Sequence, residues 1–122
     1  MALEYESILK VTEDFYAKAK IDFMIGYHFR VIDDFDTHIP RIADFWTLQL
    51  TGKLKNKTHL PFNLIEIHKT LNARKGEYGR WVVLFTETLD QAVLSGQLTQ
   101  DDKKKWLEKI NLFKQKIMQL VF

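Results

Sequence analysis

A chain of 122 residues, 46% hydrophobic and 28% charged, has the size and balance of one folded domain, neither disordered nor fibrous. Its formal net charge of +2, on intermixed basic and acidic residues, argues against a nucleic-acid partner, and the absence of cysteine removes disulfides, thiolate metal sites and cysteine nucleophiles. The opening MALEYESILK is charged, and no apolar run approaches the roughly 18 residues that span a bilayer, so neither a secretory signal nor a membrane is expected and the default location is the cytoplasm.

In chain order, the first segment runs from Leu3 to Lys20, where Tyr5, Ile8 and Leu9, then Phe15, Tyr16 and Ala19, recur at helical spacing. Thr12 is placed to cap a second helix within it. Asp22 to Phe29, holding Gly26, reads as a turn or a brief helix. A clear helix follows: Asp33, Asp34 and Asp36 crowd its start, where the helix dipole favours negative charge. Phe35, His38, Ile39, Ile42, Phe45, Trp46 and Leu50 then form one apolar stripe. With Asp36 as the cap, Pro40 falls in or just after the first turn, and Gly52 is the expected stop.

Lys53 to Phe62 is polar and contains Pro61, which predicts a loop; Asn63 to Leu71 predicts a short helix with Leu64, Ile67, His68 and Leu71 on one side. After a break over Asn72 to Gly76, Tyr78, Trp81, Val82, Phe85, Leu89 and Ala92 make the next stripe, which ends before Ser95-Gly96. Thr99 with Asp102 is close to a capping box, and Trp106, Ile110, Phe113, Ile117 and Leu120 give the last helix its core face. Lys103, Lys104 and Lys105 read as a solvated side. Five or six helices with stripes to bury, and no strand-like alternation, predict an all-α domain over residues 1–122.

Nine Phe, four Tyr and three Trp fit either a core packed with large rings or a core shaped around a flat ligand, and composition leaves both open. His38 and His68 lie on apolar stripes of different helices, as hydrogen-bonded core residues or as ligands; a neutral imidazole binds iron through one ring nitrogen while the other donates elsewhere. Tyr16 and Trp81 add polar tips to two further stripes. His28, in the turn, is expected at the surface or near a cofactor edge. Other chemistries have little support: there is no Gly-rich phosphate loop, no Ser or Thr paired with His at a recognisable spacing, and His38, His59 and His68 lack a compact zinc-ligand spacing. The carboxylates sit mainly at helix starts, where dipoles and caps account for them.

Three segments carry a resemblance. Phe15-Tyr16-Ala17-Lys18 looks like the Phe-Tyr opening of the distal pocket in bacterial truncated haemoglobins. His38-Ile39-Pro40-Arg41-Ile42-Ala43-Asp44-Phe45-Trp46 is similar to the His-x-x-(Arg/Lys)-x-x-x-Phe-Trp motif of their third group, and Arg80-Trp81-Val82-Val83-Leu84-Phe85 resembles that group's Arg-Trp-Leu-x-Leu-Phe segment. The matches fall in the family's order across most of the chain.

The resemblance implies a two-over-two helical sandwich holding non-covalent haem b, the Cys-x-x-Cys-His of covalent attachment being absent. It implies Tyr16, His38 and Trp81 as distal groups facing oxygen, nitric oxide or carbon monoxide, and His68 as the proximal metal ligand. It also implies Phe29 on the haem edge, Ile42 and Phe45 along the cofactor, and Arg41 at a propionate. The chain departs from the family at His59-Leu60-Pro61-Phe62, which looks like the His-Leu-Pro-Leu segment around the family's proximal histidine but sits too far ahead of Trp81; His59 is the alternative ligand. Nitric oxide dioxygenase or peroxidase-like turnover would need a separate reductase, since no flavin or nicotinamide domain is present. A haem-free helical interaction or regulatory domain is the competing reading.

Overall fold

The computed structural model describes residues 3–30, 35–52 and 73–121, and their regular structure is helical, with no strand among them. The helices are α1 (Tyr5–Ile21), α2 (Gly26–Arg30), α3 (Phe35–Thr51), α4 (Lys75–Leu94) and α5 (Gln100–Val121). The predicted loop Lys53–Phe62 and helix Asn63–Leu71, with His59 and His68, lie outside the described residues.

Local chemistry accounts for where the helices run and stop, and it corrects several expectations. Thr12 does not cap a second helix: α1 is continuous, and the buried Thr12 hydroxyl donates to the Ile8 carbonyl at 2.8 Å, which satisfies it inside the helix. Pro40 lies in the second turn of α3, because the helix opens at Phe35, so one N–H that would have met the Asp36 carbonyl is missing. Gly52 ends α3 with φ at 75°, a conformation that suits glycine, and its N–H reaches the Leu48 carbonyl at 2.9 Å.

The break before α4 is shorter than expected. Gly76 is helical, because the Glu77 carboxylate accepts the Arg74 backbone N–H at 2.7 Å and starts the helix at Lys75. Thr99 and Asp102 exchange the two bonds of a capping box, each 3.1 Å, as the sequence predicts.

The packing is two helices over two. α1 lies against α3 and α4 lies against α5, while α1 also touches α4 and α3 touches α5, which closes the sandwich. The centre is aromatic. Trp106 of α5 is fully buried, 5.9 Å from Trp46 of α3 and 5.5 Å from Phe85 of α4 between ring centroids, and Phe15 of α1 stands edge-on to Phe85 at 4.5 Å. Ile8, Val11, Leu89, Ile110 and Ile117 surround these rings, each withdrawn from water and each stabilising the fold by about 1.5–3 kcal/mol. For this half of the molecule the packed-core reading of the aromatic content holds. No described helix is long and apolar enough to cross a membrane.

Candidate functional site

Phe15 and Tyr16 are neighbours on α1, and a helix turns successive side chains about 100° apart, so the two rings diverge. Phe15 enters the core, 1% exposed, whereas Tyr16 is partly buried and faces α3. Its hydroxyl lies 3.3 Å from His38 Nε2, with the ring centroids 5.7 Å apart. Phe29 of α2 stands edge-on to the Tyr16 ring at 5.2 Å and tilted to Phe15 at 6.0 Å. α1, α2 and α3 thus each supply one ring to a small aromatic wall with a hydroxyl and an imidazole at its centre.

Both polar groups are held neutral. Burial of the Tyr16 phenol pushes its pKa up. His38 is shifted below its usual value, first by burial and then by the positive charge of Arg41 one turn further along α3. Two arrangements of the pair follow. The phenol O–H donates to an unprotonated Nε2, or Nε2–H donates to the phenol oxygen and the O–H is directed at a third group. In the second arrangement the imidazole polarises the phenol and strengthens it as a donor.

The remaining predicted residues divide. Trp81, partly buried on α4, is edge-on to Phe85 at 6.3 Å and connects with the wall through Phe85 and Phe15. Arg41 is partly buried. Ile42 is 4% exposed within the core, and the partly buried Phe45 leans toward α5, 5.3 Å from Phe113. His28 is not a surface side chain: it is largely covered, and its Nε2–H donates to Glu77 Oε2 at 3.1 Å. Among the described residues no three His, Cys, Asp or Glu side chains gather into a metal-holding group.

Sequence reasoning missed two buried carboxylates. Asp22, just past α1, accepts from Arg80 Nε and Nη2 at 3.0 and 2.6 Å on one oxygen, and from the Met24 and Ile25 N–H groups at 3.0 and 3.1 Å on the other. Glu77 takes Tyr27, His28 and the Arg74 N–H. Asp22 and Arg80 stand 58 residues apart, with nothing local to link them. Glu77 alone carried a signal, as a carboxylate in a helix's first turn.

The backbone arrangement matches a solved protein. The crystal structure of group III truncated hemoglobin from Campylobacter jejuni is similar at a TM-score of 0.82, covering 99% of this chain and 93% of that one, with 21% sequence identity. The chain has the truncated-globin fold. No protein-family profile matches it, and a sequence search of curated proteins gives no match. The two-over-two expectation drawn from the motifs therefore holds at the level of fold, where sequence identity is too low to carry chemistry across.

Proposed function

We propose that this protein is a haem-binding globin that takes up oxygen, nitric oxide or carbon monoxide beside Tyr16 and His38. It would serve oxygen or nitric oxide redox chemistry, or sensing, in the cytoplasm rather than bulk transport. The observation that carries this reading is the Tyr16 hydroxyl 3.3 Å from His38 Nε2, two neutral hydrogen-bonding groups brought together from separate helices of a truncated-globin fold.

The residues suit such a cofactor chemically. An uncharged phenol and imidazole solvate a polarised diatomic molecule without adding a fixed charge, and Phe29 and Phe45 offer flat apolar surface that excludes water. Ile42 adds to that apolar surface. His68 is the proposed metal ligand, with His59 as the alternative; Trp81 is a further donor, and Arg41 the cation for a haem carboxylate. Haem supplies a coordination site for the gas when bound.

What the chain contributes is hydrogen bonding. Tyr16 donates its O–H to the ligand while accepting from His38 Nε2–H, so the imidazole both orients the phenol and increases its donor strength. A bond of this kind to a charge-bearing partner contributes about 1.5–3 kcal/mol, enough to slow ligand release by roughly one to two decades. Slow release suits reaction on the protein better than delivery elsewhere. Nitric oxide dioxygenase or peroxidase-like turnover would draw electrons from a separate reductase.

The test is the absorption spectrum of the purified protein. A red product with a strong Soret band is expected, with the band lost or displaced in His68→Ala and retained in His59→Ala. A colourless wild type that develops no Soret band on titration with ferric haem would leave the haem-free interaction domain as the better reading.

A further inference from the structure

α2 is only five residues long, too short to be stable by its own hydrogen bonds, yet it carries Phe29. Its position is therefore set by its ties to the rest of the molecule. At one end, Gly26 sits where an added Cβ would lie 2.9 and 3.2 Å from the Lys20 and Ala19 carbonyl oxygens, so α2 is pressed onto the end of α1. On its other side, the junction with α4 borders an open hollow of about 470 Å³ lined by Met24, Tyr27, Arg74, Gly76 and Glu77. Apolar packing leaves that side incomplete, and polar bonds cross it instead. The Tyr27 hydroxyl lies 2.6 and 2.8 Å from the two Glu77 oxygens and donates between them, and His28 Nε2–H donates to Oε2 at 3.1 Å. One turn along α4, Arg80 grips Asp22, whose second oxygen fixes the backbone entering α2.

We propose that Glu77 is a positioning residue for the Tyr16–His38 pair: it holds α2 through Tyr27 and His28, α2 presents Phe29, and Phe29 sets the plane of the Tyr16 ring. The links are the bonds from Glu77 to Tyr27 and His28, the single turn of α2 that carries Phe29 beside them, the Phe29–Tyr16 ring contact at 5.2 Å, and the Tyr16–His38 approach at 3.3 Å. The consequence for gas binding rests on the haem reading above; the consequence for the Tyr16 ring does not.

The experiment uses Glu77→Gln, Tyr27→Phe and Tyr16→Phe in the protein as purified. Tyr27→Phe removes only the hydroxyl of a half-exposed residue, so it remains informative if Glu77→Gln fails to fold. The first readout is the set of Tyr16 ring-proton resonances, assigned by their loss in Tyr16→Phe and sensitive to the ring current of Phe29. Both variants should shift them, whereas Thr99→Ala, which weakens the distant α5 cap, should not. The second readout is the C–O stretching band of the ferrous carbon monoxide form. Glu77→Gln should displace it in the same direction as Tyr16→Phe and by less, and the Glu77→Gln/Tyr16→Phe double variant should match Tyr16→Phe alone.

Tyr16 resonances that stay at wild-type positions in both variants overturn the proposal. So does a C–O band that Glu77→Gln leaves in place, or one that shifts additively in the double variant. If the protein takes up no haem, the proposed function falls, and the ring resonances still decide whether Glu77 positions Tyr16.

Discussion

Phe15 and Tyr16 occupy consecutive positions on α1 and belong to different parts of the molecule. Phe15 joins Trp46, Phe85 and Trp106, rings that satisfy one another by contact and need no water. Tyr16 joins Phe29 and His38, where a polar tip demands a partner and the residues remain only partly covered. One phenol oxygen separates the two side chains: the helix turns Phe15 into the core and Tyr16 toward α3, where the hydroxyl meets His38 and avoids the cost of burial without a hydrogen bond. Within the core, the Trp106 Nε1 is buried with no hydrogen-bond partner among the described residues, and its indole area outweighs that cost.

If the two regions are separable, variants should divide accordingly. The largest effect belongs to the core: Trp106→Ala should lower stability by about 3–5 kcal/mol in urea denaturation, from lost burial and the cavity left behind. In the folded fraction its His38 titration should match wild type. The wall should behave the opposite way. Tyr16→Phe should change stability by less than about 1.5 kcal/mol, yet on the proposed haem reading stopped-flow oxygen release should be at least about tenfold faster. An unchanged off-rate would mean that the phenol does not serve the ligand. Gly26→Ala joins the two regions. The Arg30 guanidinium can swing from the new Cβ, but the Lys20 and Ala19 carbonyl oxygens cannot, so about 1–3 kcal/mol should be lost and the Tyr16 resonances should move as well.

These regions were unequally legible in the sequence. The core could be read from periodicity, because Trp46, Phe85, Trp106, Ile110 and Ile117 follow a helical stripe and packing buried them. The Tyr16–His38 pair was suggested by motif resemblance, since two side chains 22 residues apart have no local relation that pairs them. The Asp22–Arg80 and Glu77 ties could not be read. Helix-start and turn chemistry gave those carboxylates a sufficient local explanation, and only the docking of α2 against α4 revealed the distant partners. Thr12 shows the reverse failure: it fits a helix boundary locally, and α1 runs through it because the apolar stripe around it gains more from continuing than from stopping.

Titration separates the regions most finely, and its effect is the smallest of the four. His38 is shifted below the usual 6.5, with burial the larger cause and the Arg41 charge the smaller. The unfolded chain therefore takes up this proton first as pH falls. Stability from the neutral imidazole is whole above about pH 6.5, declines as pH drops from there to the folded midpoint, and is constant below it. Asp22 and Glu77 act in a lower window. Arg80 holds the Asp22 carboxyl below 3.8, and Tyr27, the Arg74 N–H and His28 together outweigh burial to hold Glu77 below 4.5. Their contribution is present above those values and is lost as pH falls through the folded ones. Imidazole-proton NMR should place the His38 midpoint under 6.5, and Arg41→Ala should raise it without reaching 6.5, because burial remains. A midpoint at or above 6.5 in wild type would contradict burial and the Arg41 charge as the forces acting on this imidazole. One that ignores Arg41→Ala would leave burial as the sole cause and remove Arg41 from the electrostatics of the Tyr16–His38 pair.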